Sequence, residues 1–295
     1  MADTREEAET LVGMGLDGWI GRARESMDEL TAPAMRRLAA TLDRPGLPLE
    51  HGSPVPPHWL AVLFDDAAPQ SRLGPDGHAE KGDFLPPVPL PRRMLAGRRM
   101  AFQQPARIGD RLTRRSEITA IVPKHGRSGR LIFVSLRHTT TGPRGVVAVE
   151  EQDIAYREAV RDGAAPPPPV PEPDPAPGEW EEGFDPDPVL LFRYSALTFN
   201  GHRIHYDADY ARDVEGYPAL VVNGGLSTMM LLEAAARRAG SLPLRGYAAR
   251  TAKPLFAGRR ALLRGTAPDA EGRAALRVVD AGGATALRID AEYGA

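Results

Sequence analysis

Arg130 to Thr140 (RLIFVSLRHTT) and Val146 to Tyr156 alternate apolar or β-branched residues with polar ones, the period of two required by a strand with one buried face. Ala261 to Gly265, Ala274 to Asp280 and Thr285 to Tyr293 continue the pattern, parted by the turn-forming pairs Pro268-Asp269 and Gly282-Gly283. All of them read as antiparallel strands. A helical period governs Gly224 to Gly240, where Leu226, Met229, Met230, Leu231 and Ala234 share helical spacing, Glu233 and Arg237 stand i, i+4, and Gly240 supplies a stop. The first half of this helix is apolar nearly all round, which predicts a helix enclosed by sheet. An amphipathic helix is predicted over Asp28 to Leu42, with Pro33 in its first turns. No N-terminal partner of the apolar helix stands out.

Ten prolines fall between Pro166 and Pro188, interleaved with Glu, Asp, Ala and Gly. Such a stretch sustains neither a helix nor a strand ladder and reads as an interdomain connection between residues 1–165 and 189–295. Pro105-Ala-Arg-Ile-Gly109 and Pro254-Leu-Phe-Ala-Gly258 precede strand sets on either side of it, offset by 149 residues. An offset of one small domain suggests duplication.

The 295 residues, 42% of them apolar, are enough for two cored domains. With 37 basic against 39 acidic residues the net charge is -2, so the chain has no global field for nucleic acid or an acidic membrane. No apolar run approaches the roughly 20 residues of a bilayer span. The opening MADTREEAET is acidic where a signal peptide is basic and then apolar, so a cytoplasmic protein is expected. The absence of cysteine excludes disulfides, thiolate metal sites and a cysteine nucleophile.

Chemistry concentrates in Phe192 to Asp207 (FRYSALTFNGHRIHYD), where His202 and His205 lie beside Asn200 and Asp207; the other five histidines are scattered. Two readings of the residues stay open here: a reactive loop, or a loop whose polar side chains satisfy its own backbone. A zinc site of His202, His205 and Asp207 matches no standard ligand spacing, and no metal is expected.

The string Asn200-Gly-His-x-Ile-His205-x-Asp207, followed by Tyr210-Ala211 and Leu220-Val-Val-Asn-Gly-Gly-Leu226, resembles the signature of the MaoC-like, type 2 hydroxyacyl-thioester dehydratases. The likeness is greatest to the branch containing mesaconyl-CoA and itaconyl-CoA hydratases and mitochondrial-type dehydratases. It implies an α+β tandem (double) hotdog, with antiparallel sheets each wrapped around a central helix. The motif-bearing hotdog would be the C-terminal one, and residues 1–165 a hotdog without its own site. It implies a hydro-lyase acting on an α,β-unsaturated acyl-CoA, with a short branched dicarboxylic acyl group as first choice. Coenzyme A would enter as part of the substrate, with no other cofactor. In single-hotdog relatives two chains pair to form the sites; a fused pair mimics that dimer and leaves further homo-oligomerisation open.

On this alignment His205 takes the place of the catalytic histidine and Asn200 that of the catalytic aspartate, a departure, since an amide cannot accept a proton. His205 would carry the proton in both directions, and Asn200 would orient water or a substrate oxygen. Gly224 and Gly225, opening the apolar helix, would offer N–H groups to the enolate oxygen. Asn223 stands where the family has histidine. His202, Arg203, Asn223, Arg250 and Lys253 are the expected substrate and CoA contacts, Arg203 for a substrate carboxylate and Arg250 with Lys253 for the phosphates. Contact from Arg92, Arg93, Arg98 and Arg99 ranks lower. Pro54 to Leu60 and Asp83 to Leu90 read as stiff apolar loops, structural or covering the acyl chain. A hotdog thioesterase and a non-catalytic acyl-CoA binding protein remain as alternatives.

Overall fold

The computed structural model describes residues 13–64, 67–80, 82–126, 129–158 and 179–294. Ten strands form one antiparallel sheet: β1 (Ala23–Glu29), β2 (Arg92–Phe102), β3 (Arg111–Gly126), β4 (Gly129–Gly142), β5 (Gly145–Arg157), β6 (Trp180–Phe184), β7 (Leu244–Thr251), β8 (Ala261–Gly265), β9 (Arg273–Val279) and β10 (Thr285–Tyr293). Their order is β1-β3-β4-β5-β2-β7-β10-β9-β8-β6. Each half thus runs in the same strand order, outward from a central β2–β7 pair. Among the described residues four helices accompany the sheet: α1 (Ala32–Thr41), α2 (Pro188–Leu197), α3 (Ala208–Asp213) and α4 (Gly224–Ala236).

The 149-residue repeat is visible in backbone hydrogen bonds. Ile108 N–H donates to Ser53 O as Ala257 N–H does to Leu220 O, both at 2.9 Å, and Val55 N–H donates to Ala106 O as Val222 N–H does to Leu255 O. Gly109 and Gly258 both take positive φ, at +93° and +74°, which suits glycine at a tight approach to a strand. Thr31 and Asp187 cap α1 and α2, each accepting from a backbone N–H three residues on.

The equivalence also locates the N-terminal counterpart of α4. The isolated bridge Pro54–Arg107 matches Val221–Phe256, so Pro57 stands where α4 begins. There the chain makes only a 3-10 turn, Pro57–Val62. The expectation of a central helix in each half therefore holds for the C-terminal half alone among the described residues. Trp59, Leu60, Val62 and Leu63 keep helical spacing for little more than one turn, and Phe64 then takes a positive φ of +63° that no right-handed helix can hold. The uncovered inner face is filled by chain: Phe84, Val88 and Leu90 pack with Ile118, Ile132, Val134, Ile154 and Tyr156. Asp83 to Leu90 is accordingly a structural loop, and so is Pro54 to Leu60, whose His58 and Trp59 are buried.

Leu226, Met229, Leu231 and Leu232 of α4 are each no more than 2% exposed, and such side chains contribute roughly 2 kcal/mol apiece on burial. Glu233, expected to pair with Arg237, instead faces inward at 1% exposure. It accepts from Trp59 Nε1 at 2.6 Å and from His58 Nε2 at 2.8 Å, and pairs with Arg44. Burial opposes its ionisation, but these partners hold the carboxyl down at about 2. Arg237 reaches Glu182 instead. Two other boundaries move. Asp28 to Leu42 divides into the end of β1 and α1, with Pro33 in the first turn of that helix. Of the proline-rich connection, 166–178 lies outside the described residues, while Trp180–Phe184 forms an edge strand on β8 and Pro188 opens α2.

Candidate active site

The loop after α2 begins at Phe199, whose φ of +45° turns the chain, and Asn200 N–H returns to Ser195 O at 2.9 Å. Asn200 Oδ1 accepts from His202 N–H at 2.9 Å. A 3-10 turn, Arg203–His205, brings His205 inward, where it is 7% exposed. Its Nδ1 lies 2.7 Å from Val221 O, and a carbonyl can only accept, so Nδ1 carries the proton and Nε2 keeps a lone pair. Burial lowers the His205 pKa, outweighing the Val221 hydrogen bond that favours the imidazolium. A neutral imidazole with one free nitrogen is a proton acceptor at neutral pH.

His202 lies edge-on to His205, ring centres 5.4 Å apart, and its pKa is pushed down to about 3 by burial and by the His78 and His205 charges. On its other side its ring centre lies 4.0 Å from that of His78, the two planes tilted by 40°. His78 comes from a turn of the N-terminal half, residues 74–78, that docks on the histidine loop. Arg203 N–H donates to Asp76 O at 2.9 Å, Arg203 Nη1 to Pro75 O at 3.2 Å, and Gly77 lies against Gly201. Asp76 Oδ2 lies 3.0 Å from His78 Nδ1, and its Oδ1 accepts from His78 N–H at 3.0 Å. Burial opposes the Asp76 charge, but these hydrogen bonds outweigh it and hold the carboxyl well below the usual range. The donor atoms of Asp76, His78 and His202 lie within 4.8 Å of one another, a span that would admit a cation. Asp76 and His78 are hydrogen-bonded to each other through both a ring nitrogen and a backbone N–H.

Asn223 caps α4 by accepting from Gly225 N–H at 2.9 Å. Of the two expected oxyanion donors this commits Gly225, leaving Gly224 N–H without a partner among the described residues. Gly225 has a different constraint: a Cβ there would come within 2.6 Å of the Tyr194 hydroxyl. Arg203, expected to meet a substrate carboxylate, is paired within its own loop. Its guanidinium donates twice to Asp207 Oδ2, at 2.8 and 3.1 Å, and stacks on Tyr210. Asp207 in turn caps α3. The self-satisfying reading of the loop is therefore right for Arg203 and Asp207, and for the Asn200 oxygen. Arg250 points to solvent on the face of β7 opposite Tyr247 and Ala249, and Lys253 pairs with Asp280; neither is drawn to His205.

Asp76 and His78 escaped the sequence reading. The turn-forming Gly74-Pro75-Asp76-Gly77 marked a reversal, but nothing in sequence indicated where it docks.

Residues 57–257 match the hydroxyacyl-thioester dehydratase type 2 family. The chain belongs to that family. It is accordingly a hydro-lyase. It is 44% identical over 278 residues to the mesaconyl-C(4)-CoA hydratase of Chloroflexus aurantiacus, covering 94% of this chain and 97% of that one. The fold is the MaoC-like double hotdog. A MaoC-like dehydratase from Phytophthora capsici superposes with TM-score 0.68 at 15% identity, covering 92% of this chain and 95% of its own. A Mycobacterium tuberculosis protein described as a double hotdog gives 0.61, also at 15% identity, over 93% and 96%. No helix among the described residues is long and apolar enough to cross a membrane.

Proposed function

We propose that this type 2 dehydratase reversibly hydrates a short, branched dicarboxylic enoyl-CoA of the mesaconyl-C(4)-CoA kind. The observation that carries the chemistry is the His205 imidazole, buried, held by Val221 O through Nδ1, with Nε2 free. The similarity to the Chloroflexus hydratase supports the choice of acyl group.

In the hydration direction Nε2 of His205 removes a proton from water as the water oxygen bonds to the β-carbon. The carbon–carbon π pair moves toward the thioester, generating an enolate whose oxygen is stabilised by Gly224 N–H at the start of α4. The resulting imidazolium returns its proton to the α-carbon, which restores the thioester and the neutral histidine. Asn200, its Oδ1 committed to His202 N–H, has its amide NH2 for holding the water. Dehydration reverses each step.

Loss of the enoyl-thioester absorbance on mixing enzyme with mesaconyl-C(4)-CoA tests the proposal. His205→Ala should lower kcat by about a thousandfold, the order expected on removing a general acid–base. Because burial depresses the His205 pKa, the wild-type rate should fall only as pH drops below the ordinary histidine range. Turnover that survives His205→Ala would refute the mechanism. Release of free thiol without loss of the double bond would identify a thioesterase.

A further inference from the structure

Strand β2 carries two arginines whose placement depends on an irregularity. Residues 93 and 98 differ by five, so in a regular strand their side chains would face opposite ways. The β2–β5 register shifts between Leu95 and Gly97, inserting one residue and reversing the alternation. Arg93 therefore lies opposite Tyr156, and Arg98 opposite Gln152. Tyr156 and Gln152 lie on one face of β5, the face on which Ile154 and Tyr156 pack inward. The bulge brings both arginines to the inner side of the sheet.

Their partners differ. Arg98 pairs with Glu150 and bonds to Tyr247, so its charge is neutralised in place. Arg203 is neutralised by Asp207, and His78 is bonded to Asp76. Half-buried Arg93 faces the wholly buried Tyr156, a neutral group, across the β2–β5 ladder and has no carboxylate partner among the described residues. It lies close enough to His202 for its charge to act on that imidazole, whose edge meets His205. A cation set against a neutral, wholly buried phenol and near reacting groups is suited to an anion that arrives with the substrate.

We infer that Arg93, oriented by Tyr156, is the receptor for the free carboxylate of a dicarboxylic acyl-CoA and sets the enzyme's preference for such substrates. The inference rests on the hydratase function proposed above. In a mesaconyl-C(4) thioester the β-carbon, which takes the hydroxyl, bears both the methyl and the carboxylate. The anion is thus one bond from the attacked carbon, and a cation near the His202–His205 pair can reach it. Charge neutralisation there also eases the approach of water and the growth of enolate charge on the same small molecule.

The test compares carboxylated and neutral ligands of similar length on the full chain. Arg93→Gln should reduce kcat/KM for mesaconyl-C(4)-CoA by about a hundredfold, the scale of losing one partner of a desolvated charge pair, while crotonyl-CoA turnover changes by less than about threefold. Tyr156→Phe, which keeps the charge and removes the hydroxyl, should show the same selectivity with a smaller loss. Binding supplies a readout independent of chemistry: wild type should hold the inert succinyl-CoA more tightly than butyryl-CoA, and Arg93→Gln should abolish that preference. Equal losses for both substrates, or an unchanged succinyl-to-butyryl ratio, would overturn the assignment. Wild type that turns over crotonyl-CoA but not mesaconyl-C(4)-CoA would refute the dicarboxylic reading of the function, and this inference with it, before any variant is made.

Discussion

Gly77 tests whether the N-terminal half helps to build the active site. Its φ is +87°, and a Cβ built there would lie 1.9 Å from Gly201 O and 2.8 Å from the Gly201 carbonyl carbon. Carbon and oxygen settle at about 3.4 Å, so in Gly77→Ala the turn would have to withdraw by roughly 1.5 Å. Both colliding groups are backbone, and no side-chain rotation relieves them. The displaced turn carries Asp76 and His78 away from His202 and strains the Arg203 N–H to Asp76 O bond. Misplacement on this scale costs about a hundredfold in rate when reacting groups must be aligned. The left-handed backbone adds roughly 1–2 kcal/mol of destabilisation, a drop in Tm of only a few degrees for a chain of this size. Gly216→Ala is the matched control: it has the same kind of φ, at +72°, and nothing within 4 Å of the new Cβ. Enoyl-CoA turnover and thermal melts on both variants separate the effects. Gly77→Ala should lose activity with a melt near that of Gly216→Ala; activity equal to that of Gly216→Ala would refute a role for the 74–78 turn.

Glu233→Gln should destabilise the protein by about 3 kcal/mol at neutral pH, because it leaves the Arg44 charge unpaired and turns an amide NH2 toward donors. The folded-state pKa of Glu233 lies below its ordinary 4.5, so the stabilisation is present above about 4.5 and lost as pH falls toward 2; the gap between variant and wild type in denaturant melts should narrow over that window, and a gap independent of pH would count against the pairing. Asn200→Asp preserves the acceptor for His202 N–H and adds an anion to the histidine loop. The acid limb of its rate–pH profile should move up by about one unit, and an unmoved limb would place residue 200 outside the electrostatic reach of His205.

The parts legible in sequence share a property: they depend on neighbours in the chain. His205, Asn200 and Gly224 lie in one contiguous signature, and β4, β9 and, past register shifts at their first residues, β5 and β10 keep their alternation. Strand β2 does not. Its sequence, RRMLAGRRMAF, is rich in arginine and changes parity at the bulge, so no single period describes it. Lys253, read as a phosphate contact, pairs with Asp280, 27 residues away, a partner no local pattern reveals. Arg203, read as a contact for a substrate carboxylate, has a carboxylate of its own four residues on, an i, i+4 Arg–Asp pair visible in the sequence. Asp76, His78 and Arg93 are invisible for a different reason, since each acts on residues of the other half, far away in the chain.

The duplication explains why one half receives what the other lacks. Superposed through the repeated hydrogen bonds, Pro57 stands where Gly224 offers its N–H, and proline has none. The N-terminal copy cannot supply an oxyanion donor at that position, and its helix shrinks to a 3-10 turn. With no long helix to enclose, the chain between Val62 and β2 is free to travel. It first carries the 74–78 turn across to the histidine loop of the other copy and then fills the bare sheet face with Phe84, Val88 and Leu90. The same loss thus removes one prospective site and furnishes the groups that flank the remaining one. A site assembled this way depends on the two halves keeping their relative placement, which the β2–β7 ladder and the buried Glu233 contacts to Arg44, His58 and Trp59 both fix.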